Sequence, residues 1–326
     1  MLYENRKKKS CWGCKSSNVI LWGKQKGKQR FHCKNCDLFF TRDNPGVKNS
    51  NRFPWFKDWV IGRQTLSQIR KASGYSERSL KRYFSEYLSI PPILSVKPSE
   101  RVNLLIDGTY FRNDLCLIIY RDDHIKFTQL YRITNGEKYV EIREDLANLL
   151  ELGVKIESIT CDGHRSLLKA IKKECKHVIV QRCLVHIQRM CRIWLSSHPK
   201  SRAGYELKKI VGVLHKIKTQ DDWGFWIVSL VKWHEEYAPF INEKSYNLQT
   251  GRYWYKHKQV RRSFTTIKRA LPNMFQYLKN ERIPKTTNGL ESFFGHLKSH
   301  LVVHRGLSIN HRKSFIKWYL FFRNQK

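Results

Sequence analysis

Four cysteines stand in two tight pairs, Cys11-x2-Cys14 and Cys33-x2-Cys36. Two short knuckles that each offer two thiolates complete a tetrahedral site, so the spacing predicts one structural Zn2+. Far downstream, Asp107 and Asp162 each follow an apolar, β-prone run and precede a glycine, and Glu291 stands where a helix-like segment opens. Two carboxylates carried by strand ends to the crevice of an open α/β sheet, with a third from a helix, make a hard oxygen site suited to Mg2+ or Mn2+. Two such ions can activate an attacking hydroxyl or water and stabilise the leaving oxygen of an in-line displacement. Each residue also has a plainer reading. Asp-Gly is a common turn dipeptide, and Asn288-x-x-Glu291 is close to a capping box with Glu at its third position.

The elements that must position these residues belong to a chain of 326 residues, 41% of them hydrophobic, which is enough for one large core and small satellite domains. The chain carries 62 Lys+Arg against 27 Asp+Glu, a formal net charge of +35. Such an excess repels itself unless a polyanion is near, and nucleic acid is the natural partner. A cationic membrane-surface protein fits less well, because the charge is spread along the chain and not gathered on one amphipathic helix. No apolar stretch is long enough for a membrane span. The basic run Met1 to Ser10 is not followed by an apolar segment, so the expected location is cytoplasmic, nucleoid-associated in a bacterium. The remaining cysteines, Cys116, Cys161, Cys175, Cys183 and Cys191, lie in or beside apolar runs and read as buried thiols.

The spacer between the cysteine pairs holds Val19-Ile20-Leu21-Trp22, a Gly23 turn and Gln29-Arg30-Phe31-His32, which suits two strands of a zinc ribbon over 1–50. Its hairpin bears Lys24, Lys26, Lys28 and Arg30, either a DNA contact or a solvated turn. Residues 51–98 read as helices. Pro54 opens one, Gly74 fits the tight turn between the next two, and Ser76 caps a helix Glu77–Leu88 whose polar side bears Arg78, Lys81 and Arg82. That is the pattern of a helix-turn-helix with a groove-reading second helix, or of an ordinary helical hairpin. Pro91-Pro92 and Pro98 mark a linker. Residues 99–326 then read as βββαβαβα, the order of a ribonuclease H-like core, an α/β layer structure with a mixed sheet. The strands are Val102–Ile106, Leu115–Tyr120, Ile125–Tyr131, Ile156–Cys161 and His177–Gln181. A helical insertion without a convincing strand ladder fills about 196–285; its tryptophans, Trp223, Trp226, Trp233 and Trp254, read as helix packing more readily than as base-stacking platforms. Its basic run, with Lys256, Lys258, Arg261, Arg262, Lys268 and Arg269, is either a DNA track or a solvated face.

Six segments occur together and in order: Leu105-Ile106-Asp107-Gly108-Thr109, Thr160-Cys161-Asp162-Gly163-His164, Gln181-Arg182-Cys183-Leu184-Val185-His186, Thr286-Thr287-Asn288-Gly289-Leu290-Glu291, Phe293-Phe294-Gly295-His296-Leu297-Lys298 and His304-Arg305-Gly306-Leu307-Ser308. Over about 100–326 the chain thereby resembles Mutator-like transposases and the related bacterial insertion-sequence transposases. The resemblance implies a DDE triad of Asp107, Asp162 and Glu291 working with Mg2+ or Mn2+. It implies double-stranded DNA as partner, both the element's inverted repeats and the target, and a homodimer or higher oligomer to pair two ends. It makes His304 and Arg305 expected DNA contacts. Cys183-x2-His186 matches a signature of the same superfamily. Read from the residues it is half a zinc site without a second half, a buried thiol with a wall histidine, or, for His186, a contact to the scissile phosphate or a group that orients a carboxylate. A transposase-derived DNA-binding regulator without catalysis is the alternative, and a ribonuclease or junction nuclease on the same fold is a weaker one.

Overall fold

The computed structural model describes residues 10–25, 27–41, 52–98, 101–112 and 115–325. The basic run before Ser10, Lys26 of the hairpin and residues 42–50 of the expected ribbon lie outside them. The chain divides into two compact units, residues 1–90 with 303–306, and residues 91–302 with 307–326. No helix among the described residues is long and apolar enough to cross a membrane.

In the first unit, β1 (Val19–Gln25), β2 (Lys28–Cys33) and β3 (Phe39–Thr41) form an antiparallel sheet in that order, one strand more than the sequence suggests. Phe31 and Phe40 stack across β2 and β3, with ring centroids 5.6 Å apart. Each cysteine knuckle is followed by a residue in left-handed backbone, Lys15 (φ 63°) and Asp37 (φ 57°), which turns the chain back. Three helices follow: α1 (Phe53–Ile61), α2 (Leu66–Ser73) and α3 (Glu77–Ser89). Their ends follow the sequence signals. Pro54 occupies the first turn of α1, Thr65 and Gln68 form a capping box on α2, and Ser76 accepts from the Ser79 N–H. Gly74 ends α2 at φ +72°, a conformation that costs glycine little. Phe56, Trp59, Val60, Ile69, Leu80 and Phe84 form the shared core.

The second unit is built on a mixed five-stranded sheet in the order β6-β5-β4-β7-β8. Strands β4 (Val102–Phe111), β5 (Leu115–Asp122) and β6 (Phe127–Thr134) are antiparallel, and β7 (Ile156–Cys161) and β8 (Ile179–Arg182) add in parallel beside β4. The crossovers are α4 (Tyr139–Glu151) and α5 (Arg165–Glu174). Side chains alternate along a strand. Val102, Leu104 and Ile106 of β4, with Ile159 and Cys161 of β7, share a core with Ile142, Leu146 and Leu149 of α4 and Leu167 and Ile171 of α5. The opposite face of the same strands therefore carries Asn103, Leu105 and Asp107, and Ser158, Thr160 and Asp162.

One expected boundary is corrected. Asp107-Gly108 does not end its strand. β4 continues to Phe111, paired with β5 from Asp107↔Ile119 through Phe111↔Leu115. The dipeptide looks like a turn, but the antiparallel ladder supplies the hydrogen bonds that keep the chain extended.

After β8, α6 (Leu184–Leu195) leads into the insertion of α7 (Arg202–Gly212), α8 (Gln220–Asn242) and α9 (Lys258–Ala270). Their core includes Leu207, Val211, Trp226, Leu230, Trp233, Phe264 and Ile267, so two of the four tryptophans are packing residues; Trp223 is 37% exposed and Trp254 52%. The insertion also holds a small antiparallel hairpin, β9 (Lys244–Tyr246) and β10 (Tyr253–Tyr255), which three-residue strands without alternation do not announce. Two helices close the chain, α10 (Asn288–Val303) and α11 (Ile309–Asn324).

Candidate active site

Sheet register puts the two aspartates side by side. Ile106 pairs with Cys161, and Cys161 with Arg182, so Asp107 of β4 lines up with Asp162 and Cys183, the residues just past β7 and β8. The Cys183 N–H continues that pairing by donating to the Cys161 carbonyl at 2.7 Å. The row below is Leu105, Thr160 and Gln181, and it anchors the chain returning from the insertion. Thr160 Oγ1 donates to the Pro284 carbonyl at 2.7 Å. Buried Gln181 donates to the Met274 carbonyl at 2.7 Å and accepts from the Gln276 N–H at 3.0 Å. Leu184 N–H donates to the Lys285 carbonyl at 3.1 Å. These bonds lay residues 284–287 along the functional face and start α10 there, which explains how Glu291 reaches a site whose other members lie more than a hundred residues earlier in the chain.

The carboxylates of Asp107 and Glu291 and a ring nitrogen of His186 lie within 4.8 Å of one another. Asp162 stands beside this trio but not inside it; its Oδ1 accepts from the His164 N–H at 2.8 Å, and its charge acts on Asp107, Glu137 and His186. His186 Nε2 is 3.5 Å from Glu291 Oε1. Arg189, one turn further along α6, grips Glu291 with two hydrogen bonds of 3.1 and 2.9 Å. The capping-box alternative for Glu291 does not hold. Asn288 is the first residue of α10, and its N–H reaches Thr286 Oγ1 at 3.5 Å while Glu291 faces Arg189 and His186.

Burial and mutual charge shift the titratable groups of the site. Burial, then the neighbouring Asp162, push the Asp107 carboxyl up to about 6, despite the opposing pull of His186. Burial and Asp162 also raise Glu137. His186 is pushed up to about 9, first by its hydrogen bond with Cys183 and then by the charges of Cys183, Asp107 and Asp162. Burial drives Cys183 upward, but hydrogen bonds from His186 and Thr287 outweigh it and leave the thiol below its usual value. Thr287 donates to Cys183 Sγ through its N–H at 3.2 Å and its hydroxyl at 3.4 Å, tying the start of α10 to the start of α6. Among the described residues no second Cys/His pair joins Cys183 and His186 in a metal cluster. Asp145 behaves differently: that buried carboxylate is matched by Arg132, at 2.7 and 2.8 Å, and by the Tyr120 hydroxyl at 3.0 Å.

Glu137 carries no sequence signal of a site residue. It precedes α4, and its carboxylate rests on Gly108, where a Cβ would come within 2.4 Å of Glu137 Oε1. Its other oxygen is 3.8 Å from His164 Nδ1. Arg189 and Arg182 are further members that sequence reasoning misses. The Arg182 side chain covers Gly163, where a Cβ would meet it at 1.9 Å, and donates to the Asp162 carbonyl at 3.0 Å.

From His164 and Arg182 a cleft of about 730 Å3 runs to α9, and Lys258, Arg261, Arg262 and Arg269 line it. Arg262 lies over Trp194, 4.4 Å from the ring centre, and Arg261 over Tyr255 at 3.7 Å. Lys268 is exposed outside the cleft, and Lys256 is paired with Glu243 at 2.5 Å. In the first unit Arg78, Lys81 and Arg82 are exposed along α3. Arg305 is exposed, but His304 is buried against Trp59, its Nε2 3.1 Å from the Trp59 carbonyl. The four N-terminal cysteines cluster with sulfurs 3.6 Å (Cys11–Cys36) and 3.5 Å (Cys14–Cys33) apart. Tetrahedral Zn–S bonds of about 2.3 Å place sulfurs about 3.8 Å apart, so the thiols fit Zn2+.

An α/β sheet thus carries carboxylates at adjacent strand positions, with a basic cleft beside them. Residues 130–305, more than half of the chain, match the family model described as transposase, Mutator family, and the chain belongs to that family. None of the curated proteins matches it.

Proposed function

We propose that this is a DDE-type DNA transposase that binds the terminal inverted repeats of a mobile element and cleaves and joins DNA strands at Asp107, Asp162 and Glu291. The convergence of Asp107, His186 and Glu291 beside Asp162, in a chain of the Mutator family, carries this reading. The order of three antiparallel strands followed by two parallel ones, with helices between, supports a ribonuclease H-like core. The donor set fits Mg2+ or Mn2+, because it offers carboxylate oxygens from Asp107, Asp162 and Glu291. Two such ions would activate the attacking hydroxyl and stabilise the leaving 3′-oxygen.

The residues themselves do the rest. Asp107 and Asp162, fixed by strand register, hold one wall of the site, and α10 brings Glu291 across from it. His186, cationic at neutral pH, sits where a scissile phosphate gains a hydrogen bond. Arg189 steadies Glu291. The basic cleft along α9 tracks the DNA backbone, while the exposed Arg78, Lys81 and Arg82 of α3 read an element end as the second helix of a helix-turn-helix. The Zn2+ held by four cysteines supports the ribbon in front of it. Pairing of two ends calls for a dimer or larger assembly. The intact carboxylate set speaks against a silent regulator.

Glu291→Gln tests the reading. Glutamine is a poor ligand for a hard cation, and the cap of α10 does not depend on residue 291. Folding and binding to element ends should persist while strand cleavage falls by orders of magnitude. Cleavage at near-parental rate would refute the triad.

A further inference from the structure

A second cleft, of about 510 Å3, lies between β5, α10 and α11, with Arg121, Lys126, Phe293, His296, Tyr319 and Arg323 in its lining. Its polar groups satisfy one another only in part. Tyr319 is 0% exposed, and its hydroxyl interacts with the Arg323 guanidinium without a hydrogen bond of full geometry, while Nε of Arg323 has no partner. Lys126 is paired with Asp123 at 2.6 Å; the Asp123 charge also reaches Arg121, but among the described residues no carboxylate forms an ion pair with Arg121 or Arg323. The two guanidiniums are held by aromatic faces instead. Arg121 lies 4.7 Å from the centre of the Phe293 ring and Arg323 5.1 Å from that of Tyr319. Such faces orient a cation without neutralising it.

Burying donors without acceptors is costly, so this arrangement calls for an occupant that brings charge and several acceptor oxygens. Phosphate meets that demand, and arginine pairs are suited to it through two-pronged hydrogen bonds. Location selects the source. Gly289 and Ser292, which flank Glu291 on α10, line the same cleft. We propose that the Arg121–Arg323 cleft is a second DNA-binding site, which seats a backbone phosphate of the strand held at Glu291. The inference rests on the transposase reading and adds a contact separate from the basic cleft along α9.

The test needs no catalysis. Binding of a duplex oligonucleotide carrying the element end is followed across a salt series, with EDTA and without divalent metal. For every backbone phosphate that the protein no longer neutralises, the slope of log affinity against log salt falls by about 0.9. The Arg121→Gln/Arg323→Gln double variant should show a slope flatter by about that amount. A double variant with the parental slope would overturn the proposal. So would a rise in melting temperature with inorganic phosphate that only the parent shows, combined with an unchanged slope, since the cleft would then serve free phosphate. A parent that binds no duplex at all would sink the transposase reading together with this inference. A parent that binds while the double variant matches it would sink this inference alone.

Discussion

Replacing Asp107 by asparagine should make the metal-free protein more stable while removing its activity. The Asp107 carboxyl is pushed from 3.8 to about 6, chiefly by burial and then by Asp162. A carboxyl whose value is higher in the fold than in the unfolded chain contributes stability below about pH 4 and loses it as pH rises through about 6. The shift of about two pH units corresponds to about 3 kcal/mol of charge burial by pH 8. Asparagine keeps the shape and carries no charge. In EDTA at pH 8 the variant should therefore melt about 5 °C above the parent, and the gap should close near pH 4. A second readout follows from His186, which Asp107 helps push up to about 9. Its titration, followed by NMR, should move down in the variant. Added Mg2+ should stabilise the parent more than the variant, since the ion offsets the same charge. A variant equal to or less stable than the parent at pH 8 would refute the electrostatic argument, whatever its cleavage rate.

Purified protein should contain about one zinc per chain by elemental analysis, and Cys33→Ser should lose it; retention of zinc in that variant would remove the four-cysteine site. Replacing Arg78 and Arg82 should reduce discrimination between element ends and random duplex. Replacing Arg261 and Arg262 should weaken both about equally and flatten the salt dependence, and the opposite pattern would misplace the recognition helix. Arg189→Gln removes a cation that grips Glu291 at 2.9 and 3.1 Å. It should lower the Mn2+ concentration that half-saturates the protein in a binding titration, and an unchanged or higher concentration would argue against competition between Arg189 and metal for Glu291.

Much of the candidate site was legible because it follows short-range rules. Cysteine spacing announced the N-terminal cluster, capping residues announced the ends of α2 and α3, and apolar runs announced all five strands of the main sheet. Local signals mislead where contacts with distant parts of the chain override them. Asp107-Gly108 has the form of a turn, yet β5 holds it extended to Phe111. Asn288 has the form of a cap, yet the bonds from residues 284–287 to Thr160, Leu184 and Cys183 start α10 with Asn288 already inside it.

Glu137 shows the other limit. It belongs to no motif and stands at the opening of a helical segment, where an acidic residue is ordinary. Its role depends on Gly108, which lies twenty-nine residues before it and reads in the sequence only as half of a turn. In the structure a Cβ there would lie 2.4 Å from Glu137 Oε1, the far end of that side chain. The same holds for Gly163, whose missing side chain makes room for Arg182 over Asp162. Both glycines that follow the proposed catalytic aspartates thus clear space for a second charged residue, negative beside Asp107 and positive beside Asp162. That division of charge belongs to three-dimensional neighbours, and only the sheet register that sets β4, β7 and β8 side by side brings it into view.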